Sequence, residues 1–436
     1  MKYSVKDISL AAQGENQIAW ARAHMPALID LQNHFKKTKP FKNLKIGMAL
    51  HVTKETGVLV ETLIAGGAQV AIASCNPLST QDETAAYLAK KGIAVFAYKG
   101  ESKSDYYKFI KLVAAEKPNI TIDDGCDLVY EIHKNHPKII PQIIGGCEET
   151  TTGIIRLKSM ERESALKYPM VAVNDNLTEH LFDNFYGTGQ STFDGILRAT
   201  NILIAGKTVV VAGYGDCGRG IALRAKGLGA NVIVTEVNPV RALQAAMDGY
   251  NVMKMVDAAS RGDIFITATG DKHVIVPTHI KKMKSGAILC NSGHFNIEID
   301  VDGLDKISSS KKTIRPFVEK YFIGKGANAK IIYLLGEGRL INLSAAEGHP
   351  SEVMDLSFCG QALACEWLVK NHKKLHAKVY TLPQSIDEKI ARLKLGTLEI
   401  QIDKLTSEQQ HYLSSWQEGT GYLQKPTCNK EADLTV

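Results

Sequence analysis

The chain contains no CxxC pair, no internal repeat, no low-complexity segment and no apolar run approaching the ~18 residues that cross a bilayer. Each absence removes a class of function. Its eight cysteines (Cys75, Cys126, Cys147, Cys217, Cys290, Cys359, Cys365 and Cys428) are scattered, so neither a zinc ribbon nor a dithiol redox pair is signalled. No metal is expected, and reduced thiols in a cytoplasmic protein are. The opening MKYSVKDISL lacks the apolar core of a signal peptide. The net charge is only +6 over 436 residues. The densest basic run, Lys370–Lys378, has no interleaved aromatic residue and reads as a solvated helix end, not a nucleic-acid surface. What remains is ordinary globular material, 44% hydrophobic and 22% charged, enough for two or more domains of ~100–200 residues each.

The first part alternates β-rich runs with helical ones. KIGMALHV, AQVAIAS, IAVFAY, NITIDDG, KIIPQIIGG and MVAVND are candidate strands, and the segments between them carry helical apolar spacing. Such alternation predicts a parallel, doubly wound sheet. Polar groups gather where the strands end: His51 and Thr53, then Ser74, Cys75 and Asn76, then Asp123 and Asp124, Glu148 and Glu149, Asn174 and Asp175. Open α/β sheets bind ligands beyond the carboxyl ends of their strands. A site is therefore expected here, although Thr80 and Thr150–Thr152 also suit helix N-caps.

A second α/β unit begins near Ile202. Gly213, Gly215 and Gly218 form GxGxxG between the strand TVVVAG and a helix, and a further strand, NVIVTE, ends in Glu236. The glycines let the backbone approach a pyrophosphate, the helix N-terminus faces its charge, and the acid binds ribose hydroxyls. NAD is favoured over NADP because Glu236 would repel a 2′-phosphate, although Arg241 stands nearby. The strand ends of DIFITATG and AILCNSGHF offer Thr267, Thr269, Asn291 and His294. His294 and His349 both lie in glycine-containing turns. The expected organisation is α/β with two doubly wound Rossmann-like domains. Residues 1–183 form a substrate domain, 184–347 an NAD domain and 348–394 a segment returning to the first, while 395–436 form a small docking arm.

Longer motifs carry a resemblance. LHVTKETGVLVETL, SCNPLSTQDETAA, DDGCDL, CEETTTGI, VVAGYGDCGRG, CNSGHFNIEID and EGRLINLSAAEGHPSEVMD resemble the S-adenosyl-L-homocysteine hydrolase family, in its shorter form without an insertion in the substrate domain. The resemblance implies hydrolysis of S-adenosyl-L-homocysteine to adenosine and homocysteine by a cytoplasmic homotetramer with tightly held NAD. The ribose is oxidised to a 3′-ketone, the thiol is eliminated, water adds, and the ketone is reduced. It further implies Asp124, His51 and His294 as acid–base groups, with Asp183 and Glu179 beside the oxidised hydroxyl. Thr53, Glu55, Glu149, Asp183, His349, Met354 and Phe358 would hold substrate. Thr150, Thr151, Thr152, Asn184, Gly213, Gly215, Asp216, Gly218, Glu236, Arg241, Thr269, Asn291, Asn342 and Lys425 would hold NAD, and hinges are expected near Asn184–Gln190 and Gly348–Pro350.

The chain departs from the family pattern at several points. Asn238 replaces an aspartate, Arg241 an asparagine, and a tail tyrosine is missing near Asn429. Within VNDNLTEHLFDNFYGTGQ, Glu179 occupies the place of a lysine. A glutamate there crowds Asp183 and pushes one carboxyl's pKa upward; a role as base towards the 3′-hydroxyl follows as an expectation. Three readings result: a hydrolase of S-adenosylhomocysteine or of the inosine analogue, with Glu347 near the expected base edge; an NAD-binding homologue without turnover; and an ordinary NAD dehydrogenase, which fits the two-domain match poorly.

Overall fold

Short Val-, Ile- and Ala-rich strands need cover on both faces, and the chain provides it by winding two largely parallel sheets through intervening helices. The computed structural model describes residues 3–326 and 329–416. Residues up to Lys394 form one unit containing both sheets, and residues from Leu395 form another.

The first sheet contains β1 (Lys45–Ala49), β2 (Gln69–Ala73), β3 (Ala94–Phe96), β4 (Ile120–Asp123), β5 (Gly145–Glu148), β6 (Met170–Ala172) and β15 (Val379–Tyr380). Its order is β15-β6-β5-β4-β1-β2-β3, parallel throughout. The chain thus winds outward from β1 on one side and from β4 on the other. The second sheet contains β7 (Thr208–Ala212), β8 (Asn231–Thr235), β9 (Asn251–Val252), β10 (Ile264–Thr267), β11 (Ala287–Asn291), β12 (Ser310–Arg315), β13 (Val318–Ile323) and β14 (Lys330–Leu335), in the order β12-β13-β14-β11-β10-β7-β8-β9. Its winding reverses between β7 and β10. Ligand crevices open at such reversals, so the expected site residues after β1 and β4, and after β7 and β10, sit where the topology leaves room.

Two elements differ from the sequence reading. KIIPQIIGG is not one strand: Pro137–Gln142 forms a 3₁₀ turn and β5 starts only at Gly145. Pro141 lacks the N–H that a central strand must donate. The antiparallel edge β12–β13–β14 was unanticipated, because Ser310–Arg315 is exposed at every position and shows no alternation. Thr80 is not a cap either; Gln81 holds the N-cap position of the helix Asp82–Lys90.

The return segment locks into the first sheet through β15 and through the helix Ser351–Asn371, whose Leu356, Phe358, Ala362, Leu363 and Leu368 join its core. Asp355 on that helix is fully buried. It accepts the backbone N–H groups of Ala27 (3.2 Å) and Leu28 (2.7 Å) at the start of the helix Pro26–Thr38, and meets Lys394 Nζ at 2.8 Å. Breaking a buried pair typically costs about 3–5 kcal/mol. An Asp355→Ala chain is expected to lose that much stability in denaturant titration. In the second unit the helix Ser407–Ser414 is closed by reciprocal bonds between Thr406 and Gln409.

Candidate active site

A single cavity of about 850 Å³ collects side chains from both sheets, among them His51, Asp124 and Glu149 from the first and Gly215, Glu236 and Thr269 from the second. Alternation along a strand decides which member of each acidic pair reaches it. Asp123 turns inward and accepts the N–H groups of Asp124 (3.0 Å) and Val129 (2.8 Å), bracing the next helix. Glu148 accepts those of Gly125 (2.8 Å) and Thr150 (3.1 Å). Burial drives Asp123 up to about 7 and raises Glu148 well above the carboxylate range. Both are structural. Asp124 and Glu149, one residue later in each case, face the cavity.

Asp124 stands between two imidazoles. Its Oδ2 lies 3.3 Å from His51 Nε2 and its Oδ1 3.5 Å from His294 Nδ1. Cys75, seen in the sequence only as one of several polar strand-end groups, adds its thiol to Oδ2 at 3.4 Å. His51 Nδ1 lies 2.8 Å from Ser79 Oγ. Burial pushes His51 down to about 4, so it is a neutral base at physiological pH. Gly125 lets His294 approach: its φ is +108°, and a Cβ there would lie 2.5 Å from His294 Nε2.

A second cluster gathers Glu149, Glu179 and Asp183, with one oxygen of each within 4.8 Å of the others. Glu179 rides on the short helix Leu177–His180, held by Asp387, which accepts the N–H groups of Leu177 (2.7 Å) and Thr178 (3.0 Å). Asp183 opens a π-helical turn, Asp183–Gly187, a geometry frequent at functional sites. Asp183 Oδ1 lies 2.5 Å from His349 Nδ1. Burial opposes charge on His349, but Asp183 outweighs it and raises the imidazole's pKa. Burial and Asp183 push Glu149 up to about 8. Burial, then Asp183 and Glu149, raise Glu179 well above the carboxylate range.

At the far end lie Thr53, Glu55, Met354 and Phe358. Thr53 caps the helix Lys54–Ala65. Ser351 Oγ donates to Glu55 Oε1 at 2.7 Å, and Lys54 Nζ lies 3.4 Å from that oxygen and 2.9 Å from Glu347 Oε2.

On the second sheet's side the glycine turn has the shape a dinucleotide needs. Gly213 has φ +98°, and a Cβ on Gly218 would lie 2.0 Å from Gly213 O, so the helix Asp216–Gly227 can touch its strand only as glycine. Glu236 accepts the N–H groups of Tyr214 (2.7 Å), Val237 (2.6 Å) and Asn238 (2.8 Å), which fixes its carboxylate at the end of β8. Arg241 overlies Gly215, its Nη1 lying 3.3 Å from a Cβ built there. Asn342 is buried with Nδ2 on Ser191 (3.1 Å) and Oδ1 without a partner. These features fit NAD. Thr150, Thr151, Thr152, Asn184, Asp216 and Thr269 also line the cavity, with Asp216 bonded to His180 Nε2 at 2.9 Å.

Two expected cofactor residues do not line the cavity. Gly218 faces Gly213 O, where its missing Cβ lets the helix close on the strand. Asn291 is fully buried; its Nδ2 donates to the carbonyls of Gly293, Phe295 and Gly338, and its Oδ1 accepts from Thr267 and Gly293. It shapes the His294 turn instead. Lys425 lies outside the described residues. Ser357 and Gln361, which donate to the two oxygens of Glu149, escaped the sequence reading. So did Cys217 beside Asn184 (3.7 Å) and Glu298, whose carboxylate holds Thr269 and Gly270. Their only signal is three-dimensional proximity.

Residues 184–348 match the family model described as S-adenosyl-L-homocysteine hydrolase, NAD binding domain, and residues 2–137 that described as S-adenosyl-L-homocysteine hydrolase. The chain is 59% identical over 418 residues to an S-inosyl-L-homocysteine hydrolase of Methanocaldococcus jannaschii, covering 96% of this chain and 100% of that one. It is 58% identical to an adenosylhomocysteinase of Sulfurisphaera tokodaii and 54% identical to one of Aquifex aeolicus, each again over 96% of this chain and 100% of the relative.

Proposed function

The chain belongs to the S-adenosyl-L-homocysteine hydrolase family, and from that premise we propose that it reversibly hydrolyses S-adenosyl-L-homocysteine to adenosine and homocysteine. The observation that carries this reading is one cavity joining a dinucleotide-shaped glycine turn to a carboxylate flanked by two imidazoles. NAD held by that turn, by Glu236 and by Asn342 supplies a reversible acceptor for the electron pair of a sugar C–H bond.

Glu149 and Asp183 grip the vicinal hydroxyls of the ribose. Asp183, with the imidazole of His349 behind it, takes the proton of the hydroxyl that is oxidised. Once the 3′-carbon is a ketone, the neighbouring C4′ hydrogen is acidic because its carbanion spreads into an enolate. Asp124 removes it, and elimination expels the 5′ thiolate. His51, neutral at physiological pH, and His294 stand on either side of Asp124 to exchange protons with the departing thiol and the incoming water. Around the ribose, the buried side chains of Asp124, Glu179, Asp183 and Phe358 keep bulk solvent from the ketone.

The purine end admits a second reading, hydrolysis of the inosine analogue. It is favoured by the M. jannaschii relative. Anaerobic incubation with each thioether, following bound NADH and free thiol, tests both. The adenosine reading expects faster thiol release from S-adenosylhomocysteine; the reverse preference establishes the inosine reading, and neither NADH nor thiol from either substrate sinks the function.

A homotetramer and a cytoplasmic location belong to the same proposal. Val240, Leu243 and Met247 leave an exposed apolar stripe on the helix Pro239–Met247, which supports association. The seven described cysteines are all free, which suits a reducing compartment. Among the described residues no helix is long and apolar enough to cross a membrane.

A further inference from the structure

We propose that Glu179 works as a neutral acid: it keeps its own proton and donates a hydrogen bond to the sugar oxygen that is oxidised in this cavity. The inference rests on the proposed reaction and reverses the expectation that Glu179 is a base.

The argument begins with the count of charges. Glu149, Glu179 and Asp183 converge in a buried corner, and among the described residues no lysine or arginine pairs with any of them; the imidazole of His349, on Asp183, is the one ion-pair partner that can carry a positive charge. Three anions against one imidazolium, away from water, leave too much uncompensated charge, and like carboxylates at such range hold a proton between them.

Which group holds it follows from their partners. Asp183 has the imidazole of His349 at 2.5 Å. Glu149 has the hydroxyl of Ser357 and the amide of Gln361, one on each oxygen. Glu179 has a single donor, Asn184 Nδ2, at 3.2 Å from Oε2. Asp183 is therefore the best supported anion, Glu149 the better supported of the two glutamates, and Glu179 the first of the three to hold a proton. The Asn184 amide marks Oε2 as the accepting oxygen and leaves Oε1 to carry the hydrogen.

The groups facing Glu179 from every side agree. Burial comes first, Asp183 and Glu149 then oppose its charge, the thiol of Cys217 on the helix Asp216–Gly227 adds no cation, and Asp183 also stands ready to accept a hydrogen bond from the protonated form, so the pKa is raised well above the ordinary range. A carboxyl so placed favours its neutral form. The lysine of the family pattern would offer a donor with charge; Glu179 offers the donor alone.

On oxidation the sugar O–H bond breaks and its electron pair completes the C=O bond. The proton goes to Asp183, and the hydrogen on carbon would leave with its electron pair as hydride, for which NAD would be the acceptor. Glu179 transfers nothing and stays hydrogen-bonded to the oxygen throughout.

The sign of the pH effect follows. The native chain binds this proton more tightly than the unfolded one, so Glu179 is a donor below its raised pKa and an extra anion above it. The redox step, and with it stability, must fall as alkaline pH strips the proton.

The test uses the NAD-loaded protein, adenosine under anaerobic conditions and NADH absorbance from acid to alkaline pH, with infrared spectra of the carboxyl region. Glu179→Gln keeps an N–H donor and cannot ionise. It should hold the rate of NADH formation within about tenfold of wild type, without the alkaline decline. Glu179→Ala should lose about 100-fold. A protonated-carboxyl infrared band should appear near neutral pH in the difference spectrum of wild type minus Glu179→Gln, over the bands that Glu148 and Glu149 leave in both. If Glu179→Gln is as dead as Glu179→Ala, or the band is absent, the neutral-acid role is overturned while the hydrolase reading stands. No NADH in the wild type overturns both. Should Glu179→Ala fail to fold, the wild type and Glu179→Gln still decide through the pH profile and the infrared band.

Discussion

An Asp124→Asn enzyme is expected to release homocysteine from S-adenosylhomocysteine roughly a thousandfold more slowly than wild type, the size of a lost general base, yet still to form NADH with adenosine. The substitution preserves shape and leaves one oxygen for the imidazole of His51 or His294, which lie 3.3 and 3.5 Å from the carboxylate. It removes the capacity to accept a proton from carbon. The separation matters because the Glu149–Glu179–Asp183 group, not Asp124, is placed to serve the redox step. Stopped-flow absorbance for NADH and a thiol reagent for homocysteine, on the same preparation, give the two rates. Equal loss of both would mean that Asp124 acts before elimination, and the division of labour between the two clusters would fall.

The second large effect lies on the opposite wall. A Gly218→Val chain should lose about 100-fold in NAD affinity, a change of about 2.7 kcal/mol. A Cβ at this position would sit 2.0 Å from Gly213 O, a backbone atom that cannot swing aside. The helix Asp216–Gly227 must then move away from β7, carrying its N-terminal N–H groups off the pyrophosphate. Gly215 provides the internal comparison. Its nearest neighbour to an added Cβ is the flexible end of Arg241 at 3.3 Å, so Gly215→Ala should cost less. Calorimetric titration of the cofactor-free protein with NAD measures both, and equal losses would show that the close approach at Gly218 is not what the turn depends on.

Much of this was readable before any fold was known. The glycine spacing, Glu236 at the next strand end and the polar residues after β1, β4, β5 and β6 are local patterns, and a parallel sheet makes strand ends converge whatever the details. Less readable were the parts that depend on partners far along the chain. Asp123 and Asp124 are indistinguishable as letters; the register of β4 turns one to its own loop and the other to the cavity. Asn291 belongs to a motif and ends at a strand tip, but its amide is consumed by the carbonyls around it.

Glu179 shows the division most sharply. The sequence alone determined that an acid stands where a lysine is expected, that it lies close to Asp183, and that the chain is a two-sheet NAD protein of a known family. Only the tertiary structure decided what that acid does. Its neighbour Glu149 is stabilised by Ser357 and Gln361, 208 and 212 residues away, and Asp183 by His349, 166 residues away. Proton affinity in a buried site is set by the donors and charges that folding brings within a few ångströms, and chain order does not carry that information.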